Sequence, residues 1–474
     1  MSGGGTDPDR KWRTLPLNLQ VPGMPGYAFP GIPVPGAVAT YVMTNQLLTN
    51  EWQPRKQIAM QQLTQIRALL QFAEKQCPFY ADRMRSCGVS PSTLNSLDDF
   101  RRMPFLTRTD LQDSSPAIRA RALPPGTQAL KELSTSGSTS SPVKVLPTTA
   151  TTALWSACCV RDYVWSNVDP SGTLVSLRHF SEKAKAAHST KGHRIPNWGP
   201  PMAQLFPTGP SFLMDVGVDP EAQLDLLLRV DAEHILSYPS NMELLGRMLR
   251  ERGAKLGRLK QINTIGEVLP ERMRQSIEGS FGVRIWDLYS AVEVGYIASN
   301  CPSGYGYHVH DENVLVEVVD EEGRPCPPGE SGKVILTGLV HYGLPLIRYD
   351  VGDYAVAMDQ PCPCGRGLSR LSHVIGRQRG QLLRPDGRIM FSSALSVAVR
   401  DVGAIRQFQV IQHERDRVEV LVVPMDEFGE EQEKGIAEAF DREFGCPMDV
   451  TVTRVPRIER TPGGKYLDFV CKAT

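Results

Sequence analysis

The pattern of apolar and polar residues divides the chain into regions of different character. Residues 1–50 are rich in glycine and proline, as in PGMPGYAFPGIPVPG, a composition that favours an irregular arm over a helix. From Trp52 to Cys77, apolar residues recur at helical spacing, which predicts an amphipathic helix. A shorter helix is predicted from Pro78 to Met84, and Ser96 is a suitable N-cap for a third because Asp98 and Asp99 follow it.

The middle of the chain alternates strand and helix signals. LVSLRHF and HILSYPS predict strands, and helices are predicted at Asp219–Arg229 and Leu244–Arg252. QINTIGEVLP and VRIWDLYSAVE then predict strands that end in polar turns. This repetition predicts a parallel α/β core, in which ligands bind beyond the carboxyl ends of the strands.

After Asn313 the pattern changes to short alternating strands, VLVEVVD, GKVILTGL and DYAVAMD, which predict an antiparallel or barrel-like subdomain. After about Gln378, two strand signals, a helix from Glu430 to Phe444 and a last strand predict a small α+β unit. The predicted fold class is therefore α/β. An arm over 1–50 precedes a large multi-subdomain α/β domain with a β-rich subdomain over 51–378, and a small mobile α+β domain follows over 379–474.

Composition excludes several classes of partner. The 474 residues carry a formal net charge of +0, so nothing in the charge favours nucleic acid or an anionic membrane. We find neither the run of about 20 apolar residues that a spanning helix needs nor a signal peptide, and we expect a soluble cytoplasmic protein. The 10 scattered cysteines favour metal ligands or buried thiols over a disulfide framework. A homodimer stays open.

A hydroxyl-rich loop, ELSTSGSTSSPVKVLP, spans residues 132–147. Backbone N–H groups with Ser and Thr hydroxyls at their rim bind phosphate, and Gly137 permits close approach of a ligand. The Walker pattern of P-loop proteins is absent, since no second glycine precedes Lys144. Taken alone, the loop is equally compatible with an ordinary polar surface loop.

Several segments together resemble the adenylate-forming superfamily of acyl-CoA synthetases, and within it the phenylacetate-CoA ligase-like branch. AEKQCPFYADRM and LDDFRRMPFLTRTDL resemble the opening of that branch, and STSGSTSSPVKV resembles the phosphate loop of the family. The resemblance implies that the loop residues bind the β- and γ-phosphates of ATP; these are Thr135, Ser136, Gly137, Ser138, Thr139 and Lys144.

Four further motifs carry the resemblance, and it implies a role for each. NTIGEVLP would place Gly266 and Glu267 beside adenine, and YSAVE would place Tyr289 against the base and Glu293 on Mg²⁺. LIRYDVGD makes Asp353 the ligand of the ribose hydroxyls. IGRQRGQLL and RTPGGKYLD add Arg377 near the nucleotide, Arg379 at the pivot of the small domain, and Lys465 at the α-phosphate and the substrate carboxylate.

These roles suit the chemistry, because joining a carboxylate to ATP brings two anions together and needs a metal and a lysine to neutralise them. Two positions depart from the family pattern. Ser140 stands where the phosphate loop usually has glycine, and Val292 replaces a hydroxyl residue before Glu293. Losing one neutral hydrogen bond costs on the order of 0.5 to 1.5 kcal/mol, which slows adenylation without abolishing it.

A second group of residues has metal-ligand chemistry. Cys301 and His308 lie upstream of Cys362 and Cys364, and Cys₃His is a tetrahedral structural zinc set. The same positions resemble the zinc-binding subset of the branch, and GYH favours His308 over its competitor His310. Four reduced side chains without metal are the alternative.

The predicted function is ATP- and Mg²⁺-dependent activation of a carboxylic acid through an acyl adenylate, followed by transfer to CoA. An aromatic acid is suggested by the family and by aromatic residues of the expected acyl-pocket segments: Trp155, Trp165, Phe180, Phe206, Phe212 and Tyr238. LRHFSEKAKAAHSTKGHR is interpreted as a solvated insertion. The hinge sequence RQRGQLLRPDGR departs from the family pattern, so an amine or carrier-protein acceptor stays open, as does a degenerate nucleotide-binding protein without turnover.

Overall fold

The computed structural model describes residues 17–20, 23–113, 115–134, 143–180, 191–304, 306–377, 381–386, 389–459 and 468–473. The helices of these ranges, in chain order, are α1 Ala37–Asn50, α2 Arg55–Gln76, α3 Pro78–Cys87, α4 Leu97–Arg101, α5 Arg108–Asp113, α6 Ser115–Ile118, α7 Thr149–Trp165, α8 Met202–Leu205, α9 Pro220–Val230, α10 Pro239–Glu251, α11 Glu271–Phe281, α12 Ser392–Asp401 and α13 Glu430–Phe444. Within them, every helix is too short or too polar to cross a membrane.

The strands of the same ranges are β1 Leu19–Gln20, β2 Ile32–Pro33, β3 Leu133–Ser134, β4 Lys144–Val145, β5 Leu174–Arg178, β6 His193–Ile195, β7 Ser211–Asp215, β8 His234–Ser237, β9 Gln261–Ile265, β10 Ile285–Ala291, β11 Gly295–Asn300, β12 Tyr307–Val309, β13 Val314–Val319, β14 Ser331–Gly338, β15 Tyr349–Met358, β16 Arg370–Arg377, β17 Gln381–Leu383, β18 Ile389–Phe391, β19 Ile405–Gln412, β20 Arg417–Pro424, β21 Asp449–Arg454 and β22 Phe469–Cys471.

A twelve-stranded sheet forms the body of the protein, in the order β13-β14-β15-β16-β12-β11-β10-β9-β8-β5-β7-β6. Strands β10, β9, β8, β5 and β7 are mutually parallel, as the alternation of strand and helix signals predicts. The strands from β10 to β13 in that order pair antiparallel. The β-rich region is therefore continuous with the parallel core, because β12 pairs with β16 and closes the gap between them.

The first helix corrects the expectation of an irregular arm over residues 1–50. Helix α1 begins right after Gly36, which has a positive φ of 82°, and its sequence AVATYVMTNQLLTN lacks proline and glycine. Ala37, Thr40, Thr44 and Leu47 are buried at helical spacing, and the helix packs along α7. The glycine and proline residues that favour irregular chain thus end at position 36, and tertiary packing stabilises the helix beyond it.

Two helix starts have side-chain caps, of which the sequence predicts the first. The hydroxyl of Ser96 accepts from Asp99 N, and Asp99 Oδ2 accepts from Ser96 N, which makes a capping box for α4. The Asp219 side chain caps α9 by accepting from Glu221 N at 2.8 Å. Local chemistry therefore fixes these boundaries, while the helix predicted at 244–252 begins earlier, at Pro239.

The C-terminal unit has its own four-stranded sheet, in the order β21-β20-β19-β22, and α13 covers its core. It docks on the large domain through α12 and the start of β19. Arg400 Nη1 lies 2.6 Å from Glu243 Oε2, and Arg247 donates to the carbonyl oxygens of Ile405 and Arg406. These contacts orient the small domain against α10, next to the carboxyl ends of the parallel strands.

Candidate active site

The turn after β9 supplies the first predicted site residues, Gly266 and Glu267. Gly266 has a φ of 74°, the left-handed region that glycine adopts without steric cost. Glu267 Oε2 accepts from Ser240 N at 3.0 Å, so this carboxylate satisfies a free N–H in the first turn of α10. Val268 packs against Gly376, where a Cβ would approach Val268 Cγ2 to 2.4 Å. The turn is thereby fixed between α10 and β16.

Tyr289 and Asp353, far apart in sequence, meet at this edge of the sheet. Tyr289 lies on β10, and its hydroxyl donates to Asp353 Oδ2 at 2.7 Å. Asp353 is 8% exposed and stands opposite Arg377 in the β15/β16 pairing. The structure therefore brings the residues predicted for adenine and for ribose into direct contact.

Glu293 follows in the tight connection between β10 and β11. It is 3% exposed, and the hydroxyl of Tyr349 lies 3.5 Å from its Oε1. Val292, next to Glu293 in sequence, is exposed, and so is Trp155. The Trp155 ring lies close to Gly295, where an added Cβ would be 3.0 Å from Trp155 Cδ1. An exposed apolar pair thus borders the buried acid that the sequence predicts for Mg²⁺.

Most of the other residues predicted to bind ATP lie outside the described ranges. Thr135, Ser136, Gly137, Ser138, Thr139 and Ser140 lie outside the described residues, as do Arg379 and Lys465. The flanks of the loop are described. Ser134 pairs with Lys144 and Leu133 with Val145, so β3 and β4 form a short antiparallel ladder below the loop, with Lys144 exposed.

The cysteine and histidine residues form a compact cluster. One ligand atom from each of Cys301, His308, Cys362 and Cys364 lies within 4.8 Å of the other three. Cys301 Sγ is 3.4 Å from Cys362 Sγ, too far for a disulfide, and His308 Nε2 is 3.2 Å from Cys364 Sγ. A hydrogen bond with Cys364 and the nearby His308 lower the pKa of Cys301, while that bond and burial raise the pKa of Cys364. A thiolate is therefore favoured at Cys301.

The structure also separates His308 from its competitor, His310. His310 is fully buried and uses both ring nitrogens elsewhere: Nδ1 lies 2.7 Å from Arg161 Nη2, and Nε2 lies 2.9 Å from Ser299 Oγ. Its ring stacks on Trp165. His310 therefore belongs to the core, and the choice of His308 for the cluster agrees with the geometry.

A buried charge network next to the cluster was not foreseen from the sequence. Glu51 accepts from Arg366 Nε at 2.8 Å and from Trp165 Nε1 at 2.9 Å, and Arg366 also lies over the Trp165 ring. Burial raises the pKa of Glu51 to about 7, opposed by Arg366 and Arg161. Arg366 is two residues from Cys364, so the end of α1 is tied to the cysteine turn. In sequence these charges look like surface residues, and only the long-range contacts identify them.

Most of the aromatic residues suggested for an acyl pocket pack in the core. Trp165, Phe206 and Tyr238 are buried, and Phe212 packs against the cluster around Val175. Phe180 is half-buried beneath the Arg178 guanidinium, and Trp155 has 43% of its surface exposed. Segments of a parallel sheet have a similar apolar sequence whether they face the core or a ligand. The sequence therefore cannot distinguish core aromatics from pocket aromatics.

Comparisons with known proteins identify relatives of the chain. A family model described as the CapK C-terminal domain matches residues 382–472. A phenylacetate-coenzyme A ligase of Thermus thermophilus is 23% identical over 404 residues, covering 83% of this chain and 84% of that protein. A phenylacetate-coenzyme A ligase of Escherichia coli is 24% identical over 335 residues, covering 68% of this chain and 71% of that protein.

Solved structures with the same fold are also found. A 2-hydroxyisobutyryl-CoA ligase in the postadenylation state, in complex with 2-HIB-AMP, has a TM-score of 0.71 at 19% identity, covering 89% of this chain and 91% of that one. An open conformation of this ligase in complex with 2-HIB-AMP and CoA has a TM-score of 0.58 at 20% identity, covering 89% and 93%. These likenesses confirm the predicted α/β fold.

The comparisons agree on one class of fold: the chain has the fold of the 2-hydroxyisobutyryl-CoA ligase structures. More narrowly, its sequence is similar to two proteins that are both named phenylacetate-coenzyme A ligase. Both steps confirm the resemblance that the motifs carry.

Proposed function

We propose that this protein is an AMP-forming acid–thiol ligase, which activates a carboxylic acid with ATP and transfers the acyl group to CoA. The observation that carries the proposal is the 2.7 Å contact between Tyr289 and Asp353, beside the Gly266 turn and close in sequence to Glu293. The site lies beyond the carboxyl ends of the parallel strands, where nucleotides bind in such sheets. The two sequence relatives are named phenylacetate-coenzyme A ligase, and these names support the same reaction.

The adenosine of ATP would bind between the β9 turn and β15. Tyr289 would pack on the base, and Asp353, oriented by the hydroxyl of Tyr289, would accept hydrogen bonds from the two ribose hydroxyls. Gly266 leaves room for the adenine edge because no side chain projects from the turn. Arg377, opposite Asp353 in the pairing, would contact the nucleotide.

The triphosphate would lie on the loop from Thr135 to Thr139, with Lys144 at its base. Glu293 offers the hard oxygen ligand that Mg²⁺ prefers, and the ion would neutralise charge on the phosphates. A substrate carboxylate oxygen attacks the α-phosphorus and pyrophosphate leaves, while Lys465 stabilises the added negative charge. The thiolate of CoA then attacks the acyl carbonyl carbon, and AMP is the leaving group.

A structural Zn²⁺ at Cys301, His308, Cys362 and Cys364 fits the residues present. Tetrahedral ligands at about 2.3 Å from zinc stand about 3.8 Å apart, close to the 3.4 Å and 3.2 Å separations observed. His308 presents Nε2 to the sulfur atoms, and its buried Nδ1 has no partner among the described residues. The ion would tie the segment after β11 to the connection between β15 and β16. Its role is structural because four protein ligands close the coordination sphere.

We also assign an aromatic carboxylic acid as the substrate class and the cytoplasm as the location. The aromatic assignment draws on the names of the two sequence relatives and on exposed Trp155 near Glu293. All ten cysteines are free, which suits a reducing compartment.

The test incubates the protein with ATP, Mg²⁺, CoA and each acid of a panel of aromatic and aliphatic acids. Chromatography then measures the acyl-CoA that forms. The proposal predicts stoichiometric AMP, pyrophosphate and acyl-CoA for at least one acid. Acyl-AMP that accumulates and reacts only with amines would replace CoA as the acceptor. ATP binding without pyrophosphate release for any acid would identify a non-catalytic family member.

A further inference from the structure

The carboxyl ends of β5, β7 and β8 bring together three polar side chains outside the nucleotide site: His179, Asp215 and Tyr238. His179 follows the last residue of β5, and Asp215 is the last residue of β7. Arg178 and Asp215 are partners in the parallel pairing of these strands, so His179 and Asp215 reach the same edge. The sequence interpretation assigned His179 to a solvated insertion, whereas its side chain is only 28% exposed.

Asp215 is a buried acid with a fixed position. Its Oδ2 accepts from Phe180 N and its Oδ1 from Gly217 N, both at 2.9 Å, and its side chain is 8% exposed. A Cβ at Gly217 would approach Oδ1 to 2.9 Å, so glycine is needed to admit the carboxylate. The backbone therefore holds both oxygens.

The His179 ring lies beside this acid. Its Nδ1 lies 3.8 Å from Asp215 Oδ2, and its backbone N–H donates to the Tyr238 hydroxyl at 3.2 Å. A carboxylate facing Nδ1 favours the proton on that nitrogen, which leaves Nε2 as a hydrogen-bond acceptor. In the ranges described, no residue hydrogen-bonds to Nε2, on the opposite side of the ring from Nδ1.

The His179 group is linked to the nucleotide site along the same edge. Tyr238 directly precedes α10, and Ser240 in the first turn of α10 donates to Glu267 of the adenine turn. Strand β5 is separated from β9 only by β8, so the two ends lie about 10 Å apart across the sheet. The His179 group therefore lies at the same edge of the sheet as the proposed nucleotide site.

We propose that His179, which lies beside Asp215, selects acids that carry a hydrogen-bond donor, a hydroxyl or amino group, distant from the reacting carboxylate. The inference rests on the proposed ligase function and narrows its substrate class. A ring nitrogen that accepts a hydrogen bond stabilises a hydroxyl that an apolar pocket would leave without a partner. A structural alternative is that His179 only balances the charge of Asp215.

The test compares ATP–pyrophosphate exchange with phenylacetate and with the three hydroxyphenylacetates. The wild-type protein is expected to favour one hydroxylated isomer over phenylacetate by about two- to tenfold in kcat/KM. His179→Phe should reduce that ratio to about one, mainly through a higher KM for the hydroxylated acid, and His179→Gln should keep part of the preference. His193→Phe, an exposed histidine on β6, is the matched control.

An unchanged ratio in folded His179→Phe, or a preference for phenylacetate in the wild-type protein, would overturn the inference alone. Preference for 4-carboxyphenylacetate would also overturn it, because an anion requires a protonated ring. A loss of thermal stability with an unchanged ratio would assign His179 to charge balance. Absence of exchange with every acid would overturn the ligase function itself.

Discussion

A single hydroxyl, that of Tyr289, orients the carboxylate of Asp353 in the proposed ribose site. Tyr289→Phe removes the 2.7 Å hydrogen bond and keeps the ring that would pack on adenine. Hydrogen bonds to charged groups contribute about 1.5 to 3 kcal/mol, part of which is recovered when water replaces the hydroxyl. We expect KM for ATP to rise about tenfold with kcat within about twofold, in steady-state exchange assays.

Tyr354 provides the control for this prediction, since it is next to Asp353 on β15 and points to the other face. Its hydroxyl donates to Glu321 at 2.9 Å, so Tyr354→Phe removes a comparable bond outside the site. KM for ATP should not change in that variant. Equal KM changes in the two variants would refute a specific role for Tyr289.

At the scale of elements, the Cys/His cluster joins two hairpins that carry site residues. Cys301 follows β11, which pairs with the strand of Tyr289, and Cys362 and Cys364 follow β15, the strand of Asp353. If zinc binds, Cys362→Ser should remove one metal ion per chain, measured by elemental analysis. Substitutions that remove a structural metal are strongly destabilising, so the free energy of unfolding should fall by about 3 to 5 kcal/mol.

Cys326→Ser is the matched control, because Cys326 is a free half-buried thiol in the turn before β14. Metal content and stability should stay at the wild-type values. Wild-type protein purified with well below one zinc per chain would contradict the metal site and leave four reduced side chains in its place.

Across the whole molecule, the small domain is held on the large one by a partly buried ion pair. Arg400 lies 2.6 Å from Glu243, with side chains 23% and 15% exposed. Glu243→Arg and Arg400→Glu should each destabilise the docked arrangement by about 1 to 3 kcal/mol, because each places like charges together. Hydrogen exchange in β19 should then become faster, and the radius of gyration should increase.

The double reversal, Glu243→Arg with Arg400→Glu, should restore most of the docking because it restores opposite charges. Reversing Arg252 and Asp225, an ion pair within the large domain, is the control and should leave docking unchanged. A double variant as undocked as the single variants would show that this pair does not hold the domains.

The same interface predicts a dependence on pH. Burial raises the pKa of Asp468 from 3.8 to about 7, with Arg400 opposing the rise and Glu267 and Glu243 adding to it. A raised pKa means that the docked form binds a proton which the undocked form releases between these two values. Docking should therefore weaken as pH rises through that window, and the radius of gyration should be larger at pH 8 than at pH 5.5. Asp468→Asn should remove the dependence.

Sequence reasoning identified the features that depend on local chemistry. Turn glycines, capping residues and the polar residues after strands are specified by neighbours in the chain, so the cap at Ser96 and a turn at Gly266 can be predicted from the sequence. The sequence also predicts that Cys301, His308, Cys362 and Cys364 come together, and the structure confirms that cluster.

Long-range pairing accounts for the features that sequence reasoning missed. Nothing near β12 or β16 indicates that they pair and make one continuous sheet. Arg161 and Arg348 resemble surface arginines in sequence, yet both are buried against Glu312 and Glu317, respectively. The role of His179 depends on Asp215, 36 residues later in the chain, and no local pattern marks such a partner.

Carboxylate-dependent exchange of labelled pyrophosphate into ATP tests the central claim most directly, because it reports adenylate formation without assuming an acceptor. The wild-type protein is expected to catalyse exchange with at least one aromatic acid in the presence of Mg²⁺, and Lys465→Ala should reduce its rate by at least about 100-fold. No exchange with any acid, or exchange at the full rate in Lys465→Ala, would contradict the account.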